Sequence, residues 1–98
     1  MLRVSVRFFT VLREVTGNKE ETLQFGEGEK ATVNAVLKTL ASRYGKPFTE
    51  YVYDTQTGLV KGFLQFFING QSATALKGLD SELKNGDVLA IVPPVGGG

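Results

Sequence analysis

Pro93-Pro94-Val95-Gly96-Gly97-Gly98, the last six residues, are where this sequence could do chemistry. Three consecutive glycines leave a slim, unbranched peptide that ends on a bare carboxylate, and no charged side chain follows Asp87. Without Cβ atoms such a tail can thread a channel too narrow for any other residue, and it accepts nearly any φ/ψ a binding site imposes. The two prolines stiffen its base and stop a preceding strand from continuing. The pattern reads as a rigid stem that holds out a reactive tip. A frayed chain end looks similar, so the tail alone leaves both readings open.

Composition narrows the chemistry further. A chain of 98 residues with 42% apolar content is one globular domain. Eleven Lys and Arg against 10 Asp and Glu give a net charge of +1, so there is no electrostatic case for nucleic acid or for an anionic membrane. No apolar run approaches the ~20 residues that span a bilayer. The N-terminus opens in an alternating pattern rather than a signal peptide, which predicts a cytoplasmic protein. The sequence contains neither Cys nor His. Disulfides, thiolate nucleophiles, the usual zinc ligand sets and the commonest general base are all missing, and no metal site is expected. If this protein handles a reactive group, that group is not expected to be a side chain.

The elements that must position the tail follow from periodicity. Leu2 to Phe8 alternates apolar and polar residues, a half-buried strand with Leu2, Val4, Val6 and Phe8 inward. Phe9 then falls on the outward face. Val11 to Val15 suits a short helical turn, and Glu21 to Phe25 a second strand that can pair antiparallel with the first. Thr32 is an N-cap for a helix whose Val33, Val36, Leu37, Leu40 and Tyr44 share one face, with Gly45 just past its end. Phe48 to Tyr53 and Leu59 to Val60, around Asp54 to Gly58, predict a small hairpin or extended excursion. Phe63 to Ile68 is apolar enough for a central strand. Asn69-Gly70 is a tight turn with a short returning strand at Gln71 to Ala73, and Val88 to Val92 is the last strand. One amphipathic helix covering one face of a mixed sheet predicts a two-layer α+β domain over residues 1–92, with 93–98 as the tail. A β-grasp topology fits this order without being forced by it. On the last strand Leu89 and Ile91 inward would put Val88, Ala90 and Val92 outward. Phe9, Phe67 and Val92 are therefore expected in an exposed apolar patch near the tail, flanked by Arg7 and Arg13.

Several stretches resemble the ubiquitin-like sulfur-carrier family, in particular the small subunit of molybdopterin synthase. They are Val4 to Gly17, with its Phe8-Phe9 pair and Leu12-Arg13-Glu14 turn; Ala31-Thr32-Val33; Phe67 to Gly70; and Leu83 to Asp87 continuing to Pro93-Pro94-Val95-Gly96-Gly97-Gly98. Gly96 departs from that pattern, where Ser, Ala or Thr is more usual, and residues 46–62 are longer than in the shortest members. The resemblance implies a ubiquitin-like β-grasp fold. It also implies a chemistry. A carboxylate is a poor electrophile, so an adenylyltransferase resembling ubiquitin-activating enzymes would use ATP to form an acyl-adenylate at Gly98. A sulfur donor would convert this to a thiocarboxylate. The tail would then enter the large subunit of molybdopterin synthase, with Gly96 and Gly97 permitting entry. Phe9, Arg13, Phe67, Val92, Pro93, Pro94 and Val95 would contact partners. The domain would hold no cofactor and supply no catalytic side chain; the sulfur would be carried covalently, in a recharged co-substrate.

Three other functions stay open at this level. A ubiquitin-like modifier would join Gly98 to lysines after the same activation. The thiamine-pathway sulfur carrier also ends in Gly-Gly but lacks the Pro-Pro-Val stem. A plain interaction module would have an incidental tail. The sequence leaves the sulfur donor and the choice of molybdenum or tungsten undetermined.

Overall fold

The computed structural model describes residues 1–94; Val95, Gly96, Gly97 and Gly98 lie outside the described residues. Five strands form one mixed sheet: β1 (Leu2–Phe8), β2 (Glu20–Phe25), β3 (Gln65–Ile68), β4 (Gln71–Ser72) and β5 (Val88–Val92), in the spatial order β2-β1-β5-β3-β4. β1 pairs antiparallel with β2 and parallel with β5, while β3 runs antiparallel to both β5 and β4. This is the ubiquitin-like β-grasp arrangement, with the last strand returning beside the first.

Alternation decides which side chains enter the core. Val4, Val6 and Phe8 on β1, Leu23 and Phe25 on β2, Phe66 and Ile68 on β3, and Leu89 and Ile91 on β5 are all buried on one face. The helix α2 (Val33–Tyr44) covers that face with Val33, Val36, Leu37 and Leu40, each completely buried. Its start is capped as the sequence predicts: Thr32 Oγ1 accepts the Ala35 amide at 3.1 Å. At its end the Gly45 amide donates to the Ala41 carbonyl at 2.9 Å. The short helix α1 (Val11–Thr16) adds Leu12 to the same core.

Two expectations are corrected. Residues 46–52 are helical: α3 (Lys46–Val52) replaces the expected extended excursion. Gly45 at φ 75° redirects the chain out of α2, a turn that a residue with a Cβ would resist. Pro47 then sits in the first turn of α3, where no amide is needed. Phe48 and Val52, four residues apart, bury one helical face completely. Only the second half of the excursion is hairpin-like, with a Tyr53–Val60 bridge around a turn in which Asp54 Oδ1 accepts the Gln56 and Thr57 amides. Second, the apolar strand expected from Phe63 is shorter, although it is interior as expected, with β5 on one side and β4 on the other. β3 begins only at Gln65, and Phe63 is left exposed.

Candidate functional site

The tail issues from the middle strand of the sheet. On one side of its exit lies the end of β1, with Phe8 opposite Ile91; on the other lies the start of β3, with Gln65 opposite Val92. Pro93 is buried and Pro94 half-buried. The Pro93 ring is therefore a packing group of the free domain, while Pro94 keeps an accessible edge.

The opposite end of β5 is locked. Asn69 adopts φ 52° and Gly70 φ 84°, the left-handed pair that a tight hairpin turn needs. The Asn69 side chain spans to β5: Oδ1 accepts the Val88 amide and Nδ2 donates to Asp87 Oδ1, both at 2.9 Å. Asp87 Oδ2 in turn accepts the Lys84 amide at 2.7 Å. Asn85 Oδ1 accepts the Arg3 amide at 2.9 Å, and the Gly86 amide donates to the Arg3 carbonyl at 2.8 Å. Both turns are legible in the sequence as Asn-Gly and Gly-Asp. That one holds the other is not, because the two lie far apart along the chain.

The sheet face opposite α2 carries the candidate docking residues. One row crosses all five strands through register partners: Glu20, Arg7, Ala90, Phe67 and Ser72. Val88 and Val92 extend the apolar strip along β5. Phe67, Val88, Ala90 and Val92 are half-buried, a graded exposure rather than an open patch. Arg7 flanks the strip and pairs with Glu20 at 3.3 Å, an exposed contact of little energetic weight.

Phe9 comes one residue beyond the paired part of β1, past the Phe8–Ile91 pair and so at the Val92 end of β5. It is half-buried, with the Arg13 guanidinium 5.6 Å from its ring centroid. Arg13 Nε donates to the Phe8 carbonyl at 3.0 Å. Between them Thr10 takes φ 50° and ψ −121°, which strains a β-branched residue by about 1–3 kcal/mol. The corner closes over a concavity of about 230 Å³ lined by Arg7, Phe8, Phe9, Arg13, Lys19 and Glu20. The structure thus places Phe67 and Val92 on the same face of neighbouring strands, two register positions apart, and Phe9 and Arg13 on the β1 side of the stem. The remaining candidates, Val95, Gly96, Gly97 and Gly98, fall outside the described residues. Nothing in the sequence signalled the Thr10 strain, since threonine gives no warning of a positive φ.

Among the described residues no cluster of His, Cys, Asp and Glu could hold a metal ion, and no helix is long and apolar enough to cross a membrane. What the described residues offer is a half-buried apolar strip beside the Pro93-Pro94 stem.

Comparison with known proteins gives consistent neighbours. The ThiS family model matches residues 6–98. Small archaeal modifier protein 3 of Haloferax volcanii is 32% identical over 97 residues, covering 99% of this chain and all of that protein. The solution structure of small archaeal modifier protein 1 from Methanosarcina acetivorans superposes with a TM-score of 0.81 at 34% identity, covering 100% of this chain and 98% of the other. A Pyrococcus furiosus protein provisionally named molybdopterin converting factor, subunit 1, superposes with a TM-score of 0.71 at 28% identity, covering 97% of this chain and 100% of that one.

Proposed function

This chain belongs to the ThiS family, among the ubiquitin-like sulfur carriers, and on that premise we propose that its Gly98 carboxylate is the sulfur-carrying group for molybdopterin synthesis. A ubiquitin-activating-like adenylyltransferase joins the carboxylate to AMP from ATP, releasing pyrophosphate. A sulfur donor displaces AMP at the same carbon and leaves –C(O)S⁻. The large subunit of molybdopterin synthase receives the loaded tail; the sulfur bonds to the pterin precursor, and water cleaves the acyl carbon–sulfur bond, leaving the sulfur on the pterin and restoring the carboxylate. The observation that carries this reading is that the family match runs through the last residue, so the tail belongs to the matched pattern. The likeness to the Pyrococcus furiosus protein supports the molybdopterin assignment. The placement of the stem at the exit of a locked middle strand supports delivery, because a firmly held base presents a slender tip.

The names of the archaeal relatives favour a second reading, a protein modifier whose Gly98 forms an isopeptide bond with lysines. Activation is the same up to the adenylate. Denaturing electrophoresis of cell extract separates the two: a ladder of high-mass conjugates marks the modifier, and its absence marks the carrier.

The sulfur chemistry has a clean test. Because the chain contains no Cys, a thiol-alkylating reagent labels only a thiocarboxylate. After incubation with activating enzyme, ATP and a sulfur source, one alkyl adduct per chain is expected by intact mass. Deleting Gly98, or adding one residue after it, abolishes pterin dithiolene formation with the large subunit while the fold persists. One residue of extended chain shifts the reacting carbon by ~3.3–3.6 Å, and ~1 Å of misplacement already costs about a hundredfold in rate. Full activity without Gly98 overturns the proposal.

A further inference from the structure

β3 is four residues long, but β4 pairs only with Phe67 and Ile68. The reason is local. Ser72 Oγ accepts the Thr74 amide at 3.4 Å, and the chain turns into a 3₁₀ helix at Ala73–Ala75. Among the described residues, the outer edge of Gln65 and Phe66 is left with no strand beside it. On the other side the turn before β3 folds back, with the Leu64 amide donating to the Lys61 carbonyl at 3.3 Å. Between these two turns lies a groove of about 530 Å³ whose apolar lining includes Val60, Leu64, Phe66, Phe67, Ala73 and Leu79.

We propose that this notch is a strand-addition site for a short extended segment, apolar at alternate positions and carrying an acidic residue opposite Lys61, supplied by the enzyme that receives the tail. That the segment belongs to the tail-receiving enzyme rests on the sulfur-carrier reading; the chemistry of the notch does not. An added strand uses the free backbone edge for affinity and the groove for alternate side chains. Exposed edges usually invite unwanted pairing. Here the open edge offers the backbone N–H and C=O of Phe66, because the hydrogen-bonded register that runs through Asn69 and Val88 turns Gln65 toward Val92; with turns on both sides it admits a short segment and excludes a long ladder. Lys61 supplies the charge complementarity. It is the one ionic side chain among the described lining residues. Its Nζ is held in place, donating to the Glu50 carbonyl at 2.9 Å and lying 6.0 and 5.7 Å from the ring centroids of Tyr51 and Phe63. An ammonium has three donors, so two remain for a carboxylate. The position favours the tail-receiving enzyme as the source. Gln65 is the register partner of Val92, and Phe67 belongs both to the groove and to the open face. A segment seated here lies beside the path by which the tail departs.

The test is a titration of the ¹⁵N-labelled full chain with the blocked peptide Asp-Val-Thr-Val-Thr-Val-Asp and with its counterpart carrying Lys at both ends. The acidic peptide is expected to cause saturable shifts centred on the amides of Gly62, Phe66 and Ala73, with the largest at Phe66. Lys61→Glu, whose fold is checked by its own dispersed spectrum, should weaken that peptide about tenfold, in the manner of a lost charge pair, and favour the Lys-ended one. Shifts centred elsewhere, no saturation, or equal affinity of both peptides for both proteins overturn the site. Repeating the titration on the chain lacking Gly98 should give the same shifts. If the alkylation test above fails while this titration succeeds, the notch stands and its assignment to a tail-receiving enzyme falls.

Discussion

The two faces of the sheet are built from the same strands and differ in what covers them. On β5, Leu89 and Ile91 are completely buried beneath α2, whereas Val88, Ala90 and Val92 on the other face stay half-buried with no helix over them among the described residues. The inner face is closed by contacts within the chain. The outer face carries apolar side chains that the free domain leaves partly wet. Single exposed apolar residues mean little, but an apolar strip beside the exit of a tail is what a partner surface requires. The contrast separates residues closed in the core from residues left partly open for the proposed partner surface.

The inner face should show the largest effect on stability. Leu40→Ala is expected to cost about 2–5 kcal/mol, the range for a leucine cut back in a closed core, measured by denaturant unfolding. A loss below about 1 kcal/mol would mean that α2 is docked through another side and would break the contrast.

Next in size is the clamp that fixes the start of β5. Asn69→Ala removes both side-chain hydrogen bonds and the residue suited to φ 52°, and should cost about 1–3 kcal/mol. Asn69→Gly keeps the backbone freedom and loses only the bonds, so it should be less damaging. Equal melting of the two variants would place the whole effect in the hydrogen bonds.

On the outer face the effect should move from stability to binding. Val92→Ala and Phe9→Ala are expected to weaken association with the large subunit by more than about 1 kcal/mol, the scale of an interface anchor, while thermal melts stay close to the parent. If both variants unfold, the strip is packing material and the distinction between the faces fails.

The smallest effect comes from the phenols around the core. Burial raises Tyr44 above its ordinary 10.0, reinforced by its hydrogen bond to Glu21; burial also raises Tyr51 and Tyr53 above the same value. In the folded chain these groups keep their protons to higher pH than in the unfolded chain. Above pH 10 the unfolded state therefore binds fewer protons, and stability falls as pH rises. Below pH 10 these groups contribute no slope. Alkaline unfolding read alongside tyrosine absorbance checks the sign; stability that rises above pH 10 would contradict it.

Much of this was readable before any coordinates. Strict alternation over Leu2 to Phe8 and the 3.6-residue repeat from Val33 to Tyr44 define β1 and α2 because both signals are local and long. The tail motif, terminal Gly-Gly after a proline stem, is read from residue type alone, and the described residues end before it. Absence of Cys and His ruled out most side-chain chemistry by composition. Phe48 to Tyr53 reads as extended in sequence because a short run with aromatic and β-branched members suits either state, and the packing of Phe48 and Val52 against a core assembled from elsewhere decides for helix. Similarly, the middle place of β5 comes from pairings with β1 and β3 that lie far away along the chain. The clamp between Asn69 and Asp87, the strained Thr10 corner and the edge at Phe66 that no strand covers among the described residues are products of juxtaposition. Periodicity specifies which way a residue faces; only the closed tertiary arrangement determines what it meets there.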